Sequence, residues 1–261
     1  MRGVTEAELA TAIASYRARG FATLPGVVPE ATLVALRQRS DDLMTGRVDP
    51  SPFFFQGDAP SGRYEDAPLG EGRWAGPTTY RKIEKLERDP SFFDYLRNDL
   101  FARIARAVLG DRGVTLYRAI LMTKPPMVAA SPGGTDLPWH QDGGQLWGLA
   151  KSPELQLWTA LDDAPLAAGC MRIAAGTHHQ GLASALGGAV PAEVAAQATL
   201  EVIDVPAKAG DVVLLHNLVW HASGLNYTPS IRRAFSACLL SADNRCTRRR
   251  KTPRTFMRIF D

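Results

Sequence analysis

Cysteine is scarce: the chain of 261 residues holds three, at Cys170, Cys238 and Cys246. An odd and widely spaced set does not make a disulfide framework, and the scarcity fits a reducing compartment, the cytoplasm. Long apolar runs are missing too. The first twenty residues, MRGVTEAELATAIASYRARG, mix charged with apolar positions, so they read neither as a secretory leader nor as a membrane-spanning helix. Charge of one sign is not in large surplus. Thirty Lys and Arg against 27 Asp and Glu leave a net +3, which gives no case for a nucleic-acid partner. Histidine is rare, five in all, so a metal site built on imidazole has few candidates. Internal repeats and low-complexity tracts are absent. What remains, 45% apolar and 22% charged, is ordinary for a globular chain long enough to bury a sizeable core in one large domain.

Thr5 and Glu8 form a capping box for a helix running to about Arg19, with Gly20 as its stop. A strand-like run follows at 21–28, then a second helix from Pro29-Glu30 to about Met44 with Leu33, Leu36 and Leu43 on one side. Residues 45–79 hold many Gly, Pro, Asp and Ser with no clear period. They read as a long loop, either an active-site lid or an excursion packed by its own aromatics. A helix is expected over 91–109, stopped by Gly110. From Val114 the texture changes to short strands with turn signals, expected at 114–123, 154–162, 169–174, 198–205, 211–218 and 232–240, the pattern of an all-β barrel or sandwich. Gly210-Asp211 marks a tight turn between two of them, and 125–137 reads as a mobile loop. The chain thus divides into a helical part with the long loop (1–112), a β core (113–245) and a C-terminal stretch (246–261). Residues 245–258 carry seven Arg or Lys and no acid. They read as a solvated basic tail or an oligomer contact, or else as a patch that attracts an anionic substrate or cofactor tail.

Pro138-Trp139-His140-Gln141-Asp142 is the most informative stretch. On a strand, residues two apart point to one face, so His140 and Asp142 can reach one ion. Two histidines and one carboxylate on one face of an octahedron leave three open positions, the arrangement of non-haem Fe(II) oxygenases. For the third ligand, His178 and His179 lie in a turn-like GTHH, while His216 and His221 flank 218–220 on the strand after Gly210-Asp211. His221 is favoured because Arg232 follows eleven residues later, where strand, turn and returning strand can set its fork beside the metal to grip a carboxylate.

In the order WHQD (139–142), AGCMRIAAGTH (168–178), GDVVLLH (210–216) and HASGLN with Arg232, the chain resembles the phytanoyl-CoA dioxygenase family of Fe(II)/2-oxoglutarate oxygenases. The likeness runs over 114–240 and more faintly over the N-terminal helix–strand–helix. It implies a double-stranded β-helix, a cupin-like jelly roll with helices packed outside. It also implies a metal triad of His140, Asp142 and His221, and Fe(II), 2-oxoglutarate and O2 as cofactor and cosubstrates. The 2-oxoglutarate carboxylate would lie on Arg232, with supporting contacts from Lys124, Gln141 and Trp158. Related halogenases have Gly or Ala at the acidic ligand, and Asp142 fills that place here, so hydroxylation of a small molecule is expected rather than halogenation. Two rivals remain: a non-catalytic jelly-roll binding protein, and a 2-oxoglutarate-independent cupin-type enzyme.

Other residues have plainer readings. His178 and His179 read as turn residues, His216 as a packed histidine or one supporting a ligand, and Asp162-Asp163 as turn-forming. Arg233 should point away from Arg232, since adjacent strand residues face opposite sides. Trp139 and Trp147 suit either core or pocket wall.

Overall fold

The computed structural model describes residues 1–68, 72, 74–128, 131–249 and 251–261. Helix α1 (Glu6–Arg19) starts on the expected capping box, with Glu8 N–H donating to Thr5 Oγ1 at 3.2 Å and Thr5 N–H to Glu8 Oε2 at 2.8 Å. It ends on Gly20 at φ 84°, where an added Cβ would lie 2.7 Å from both His178 Nδ1 and Val219. Strand β1 (Phe21–Leu24) is shorter than the run at 21–28. Val27 and Val28 leave the sheet and donate instead to the Gly210 carbonyl. Helix α2 (Glu30–Met44) buries Leu33, Leu36 and Leu43 as expected.

The stretch 45–79 is not all loop. It contains β2 (Phe54–Gly57), which pairs with β3 (Tyr80–Glu84) and buries Phe55 against Tyr80 at 4.8 Å between rings. The helix expected over 91–109 is two, α3 (Pro90–Leu96) and α4 (Asp99–Leu109). Asn98 separates them by capping α4, its Oδ1 accepting from Phe101 N–H at 2.9 Å, a bond that asparagine makes at a helix start and not inside one.

The β region follows in chain order: β4 (Val114–Lys124), β5 (Met127–Val128), β6 (Ser131–Pro132), β7 (Leu137–Gln141), β8 (Leu155–Ala160), β9 (Met171–Ala174) and β10 (Gly188–Ala189). After a short helix α5 (Ala192–Gln197) come β11 (Val202–Val205), β12 (Val212–His216), β13 (Trp220–Ser223), β14 (Arg232–Ser241) and β15 (Met257–Phe260). A major sheet runs β1-β12-β8-β14-β4-β3-β2, with β15 also on β4, and a minor sheet runs β10-β7-β13-β9-β11. Two antiparallel sheets with successive strands crossing between them make a jelly roll. β14 is buried along nine of its ten residues because it has a layer on each side. Phe235 stacks on Phe92 of α3 at 5.4 Å on the helical side. Ala234, on the other side, packs with Trp158, Met171 and Ile173 between the sheets.

Two connections differ from the sequence reading. His216 ends β12 in the major sheet, while His221 lies on β13 in the minor one, so the two histidines are not on one strand. For the same reason β14 is not a returning hairpin partner of β13. It faces β13 from the opposite sheet. The basic C-terminal stretch is also not a free tail. Met257–Phe260 adds to β4, and Arg254 donates to the Tyr117 carbonyl.

Candidate metal centre

β7 and β13 pair with His140 directly opposite His221. Cross-strand partners share a face, so the imidazoles meet with ring centroids 4.0 Å apart. Asp142 lies just past the end of β7 on the same face, tied down by its own N–H to Asn217 O at 2.7 Å and by Asn217 Nδ2 to its carbonyl at 3.2 Å. Its Oδ2 is 3.9 Å from His221 Nε2. One donor atom from each of the three lies within 4.8 Å of the others, the one such group among the described residues.

The imidazoles are held for ligation. His140 Nδ1 donates to Pro138 O at 2.8 Å, and His221 Nδ1 to Val219 O at 3.0 Å. A carbonyl can only accept, so the proton sits on Nδ1 and each Nε2 keeps its lone pair for a metal. Burial, then the neighbouring His140, pushes the His221 pKa down to about 4, which keeps that ring neutral. Burial acts to raise the Asp142 pKa, yet the Arg118 guanidinium beside it holds it below the usual carboxylate value. An anionic carboxylate beside two imidazoles is the donor set a divalent ion takes.

The donors open into a cavity of about 270 Å3 between the sheets. Arg232, the first residue of β14, lines it and is 3% exposed. It donates from Nη2 to Gly169 O at 2.9 Å and lies 5.9 Å from the Trp158 ring centroid. Burial pushes its pKa down to about 10. Five lining residues carry a buried polar atom without a partner: Arg232 Nε, Trp158 Nε1, Arg118 Nε, Arg81 Nε and Gln156 Oε1. Buried polar atoms are rarely left so. Four donors and one acceptor converging on one space fit a polar, anionic ligand. The observation suits a carboxylic cosubstrate bound next to an ion.

Of the supporting contacts expected for 2-oxoglutarate, only Trp158 has a free polar atom toward the cavity. Gln141 lines the cavity. Its amide, however, is spent on backbone, Nε2 donating to Gly181 O and Leu218 O and Oε1 accepting from Ala183 N–H. Lys124 has its amine engaged as well. It shares the Arg232 register on β4, but its Nζ donates to Thr135 O at 2.5 Å, outside the cavity lining. Burial, followed by repulsion from Arg232, lowers its pKa well below normal.

The plainer readings agree with the structure. His178 and His179 lie in a 3-10 turn, their Nε2 atoms bonded to Arg17 O and Ala18 O at the end of α1. His216 is packed near Tyr16 and His178. Asp162 grips Arg233 through Nε at 2.8 Å, and Asp41 takes Arg233 Nη1 at 2.7 Å, so Arg233 faces the helical layer. Trp147 is cavity wall. Residues 45–79 and 125–137 reach the entrance through Tyr64 and Leu137. They are bonded to each other, Tyr64 N–H to Asp136 Oδ1 and Ala59 N–H to Thr135 Oγ1, both at 2.8 Å. Parts of the two expected lid segments, 69–71, 73 and 129–130, lie outside the described residues.

Sequence reasoning missed Arg118, whose Nη2 is 3.5 Å from Asp142 Oδ1, and Gln156. It also missed Arg81 and Lys82 of β3, which line the cavity. A signal for Arg118 existed: Arg118, Ile120 and Met122 alternate on β4, and a charge in that apolar series needs a partner inside.

A jelly roll with a His-Asp-His cluster at the mouth and a buried arginine across the cavity is the build of an iron- and 2-oxoglutarate-dependent oxygenase. Comparison with known proteins agrees. The model of the family described as "Phytanoyl-CoA dioxygenase (PhyH)" matches residues 16–234, and the chain belongs to that family. A phytanoyl-CoA dioxygenase of Arabidopsis thaliana is 22% identical over 253 residues, covering 87% of each chain. The human peroxisomal phytanoyl-CoA dioxygenase is 22% identical over 239 residues, covering 87% of this chain and 67% of its own. Among solved structures, the non-heme alpha ketoglutarate dependent epimerase SnoN from nogalamycin biosynthesis superposes with a TM-score of 0.72 at 18% identity, covering 98% of this chain and 100% of that one. EctD from S. alaskensis gives 0.69 at 18% identity over 98% and 84%. No helix among the described residues is long and apolar enough to cross a membrane.

Proposed function

We propose that this chain acts as one catalytic domain that hydroxylates a small-molecule metabolite, with His140, Asp142 and His221 holding Fe(II) and Arg232 binding the far carboxylate of 2-oxoglutarate. The observation that carries the reading is the convergence of three donor atoms within 4.8 Å on a cavity whose opposite wall presents an unpartnered arginine Nε. Iron bound there would activate O2 while 2-oxoglutarate is converted to succinate and CO2, and the substrate gains oxygen. The chain's own residues do the rest. Pro138 and Val219 carbonyls fix the imidazole tautomers, Arg118 keeps Asp142 ionised and oriented, and Trp158 and Arg232 orient the cosubstrate. Leu137, Met171 and the other apolar wall residues keep water from the reacting carbon. Three free cysteines, two of them buried, support action in a reducing compartment, the cytoplasm.

The test is release of succinate from 2-oxoglutarate under air, with and without added Fe(II). Iron-dependent release is expected. Binding of metal without turnover would favour a non-catalytic jelly roll, and product formation that persists without 2-oxoglutarate would favour the cupin-type enzyme. With Asp142 as a ligand, product formed in excess chloride should carry oxygen and no halide.

A further inference from the structure

A second cavity, about 490 Å3, lies between β4 and the C-terminal stretch and shares Arg118 and Trp147 with the first. The shared wall is thin. The Arg118 guanidinium sits 4.4 Å from the Trp147 ring centroid and, at its other edge, 3.5 Å from the Asp142 carboxylate. One side chain therefore spans from a metal ligand to the second cavity.

That cavity is cationic. Five basic and two acidic side chains line it, a surplus of three positive charges. Glu84 is already held by Lys82 at 2.6 Å, which leaves Glu87 to offset Lys85. Arg88, Arg248 and Arg254 have no carboxylate partner among the described residues. Arg248 and Arg254 instead donate to the Leu146 and Tyr117 carbonyls, contacts that aim the arms while leaving their charge uncompensated. Stacked aromatics, Tyr117 on Trp147 at 4.8 Å and 22°, form an apolar floor beneath them. The Arg254 guanidinium lies 4.6 Å from the Tyr117 ring centroid.

Resting on the oxygenase reading, we propose that this groove is a subsite for an anionic arm of the substrate, phosphate or carboxylate, whose reacting carbon enters the metal cavity past Trp147. Arg248 and Arg254 of the basic stretch then serve as an anion clamp. Arginine forks suit either oxyanion, and the aromatic floor accepts the uncharged linker between arm and reacting carbon. A substrate held at both ends is also positioned at its middle.

The experiment titrates metal-free protein with pyrophosphate and, separately, with citrate by calorimetry, and measures substrate-free succinate release from the iron-loaded enzyme. We expect saturable one-to-one binding that weakens with salt. In R248Q/R254Q it should fall on the order of tenfold or more, and R248K/R254K should recover most of it. Substrate-free succinate release should be unchanged in both variants. Preference for pyrophosphate or citrate tells a phosphate arm from a carboxylate arm. Binding that survives R248Q/R254Q, or that saturating 2-oxoglutarate displaces, places the anion in the Arg232 cavity and overturns the subsite. Groove binding in a protein that never turns over 2-oxoglutarate would overturn the oxygenase reading and leave the anion site standing.

Discussion

Replacing Arg232 with alanine isolates the chemistry of the cavity wall from the chemistry of the metal. Arg232 is 3% exposed, and its Nε is buried without a partner, so a carboxylate arriving there trades water for one guanidinium. Truncating one member of a buried, hydrogen-bonded charge pair costs ~2–5 kcal/mol. At about 1.4 kcal/mol per tenfold, that is ~30-fold to several thousand-fold in affinity. Trp158 Nε1 remains as a donor in the variant, which places the expected rise in the 2-oxoglutarate KM toward the lower part of that range. Arg232→Lys keeps the charge but loses the fork, and should fall between. The assay is succinate release as a function of 2-oxoglutarate at saturating Fe(II), with thermal melting in parallel. Arg233→Ala is the control. It strips Asp162 and Asp41 of their partner, so it should lower the melting temperature, by about 1–2 kcal/mol of stability for a partly exposed pair, and leave KM alone. A raised KM in Arg233→Ala with a silent Arg232→Ala would refute the assignment of faces along β14. A loss confined to stability in Arg232→Ala would refute the carboxylate site.

Three further outcomes follow from the geometry. Arg118→Gln removes the charge beside Asp142, so the carboxyl should bind a proton more readily and divalent-metal affinity should fall ~10–100-fold, most at low pH. Titration with Mn(II) at pH 6 and pH 8 checks this, and equal affinity at both would sink it. His216 is pushed down to about 4 by burial and then by His178 and His179, from an ordinary 6.5. An unfolded chain therefore takes up this proton first as pH falls. Its contribution to stability is complete above about 6.5 and is lost toward pH 4, on the order of 2–3 kcal/mol. Urea midpoints of wild type and His216→Gln should converge in acid, and parallel curves would reject it. Tyr64 and Leu137 at the cavity mouth, with the Ala59–Thr135 and Tyr64–Asp136 hydrogen bonds, predict slower amide exchange in 45–79 and 125–137 when substrate binds. Unchanged exchange with substrate shown to be bound would remove the lid.

What was legible in the sequence was local. The Thr5-Glu8 cap, the Gly20 and Gly110 stops and the alternation that puts His140 with Asp142 depend on residues within four positions of one another, and each stands in the structure. Asn98 and the strand at 54–57 were local too but ambiguous. Asparagine caps a helix as readily as it sits on its surface, and β2 is bounded by Gly, Pro and Asp that also make loops. The path from His216 to Arg232 was not legible, because a change of sheet leaves no mark on periodicity. His221 was reached by spacing from Arg232 through a hairpin that does not exist, and the pairing of β13 with β7 supplies the proximity instead. Gln141 is more instructive, since the period-2 rule that selected its neighbours points its side chain away from them. The rule and the family likeness differ at that position: the amide is bonded to Gly181, Leu218 and Ala183, while the residue still lines the cavity. Arg118 shows the converse. It sits 24 positions before Asp142, no motif includes it, and yet a charge on the inward face of an otherwise apolar strand could hardly be buried without an anion opposite. On a jelly roll, then, inward-facing charge on the major sheet is a better guide to the wall of the site than proximity in sequence to the metal ligands.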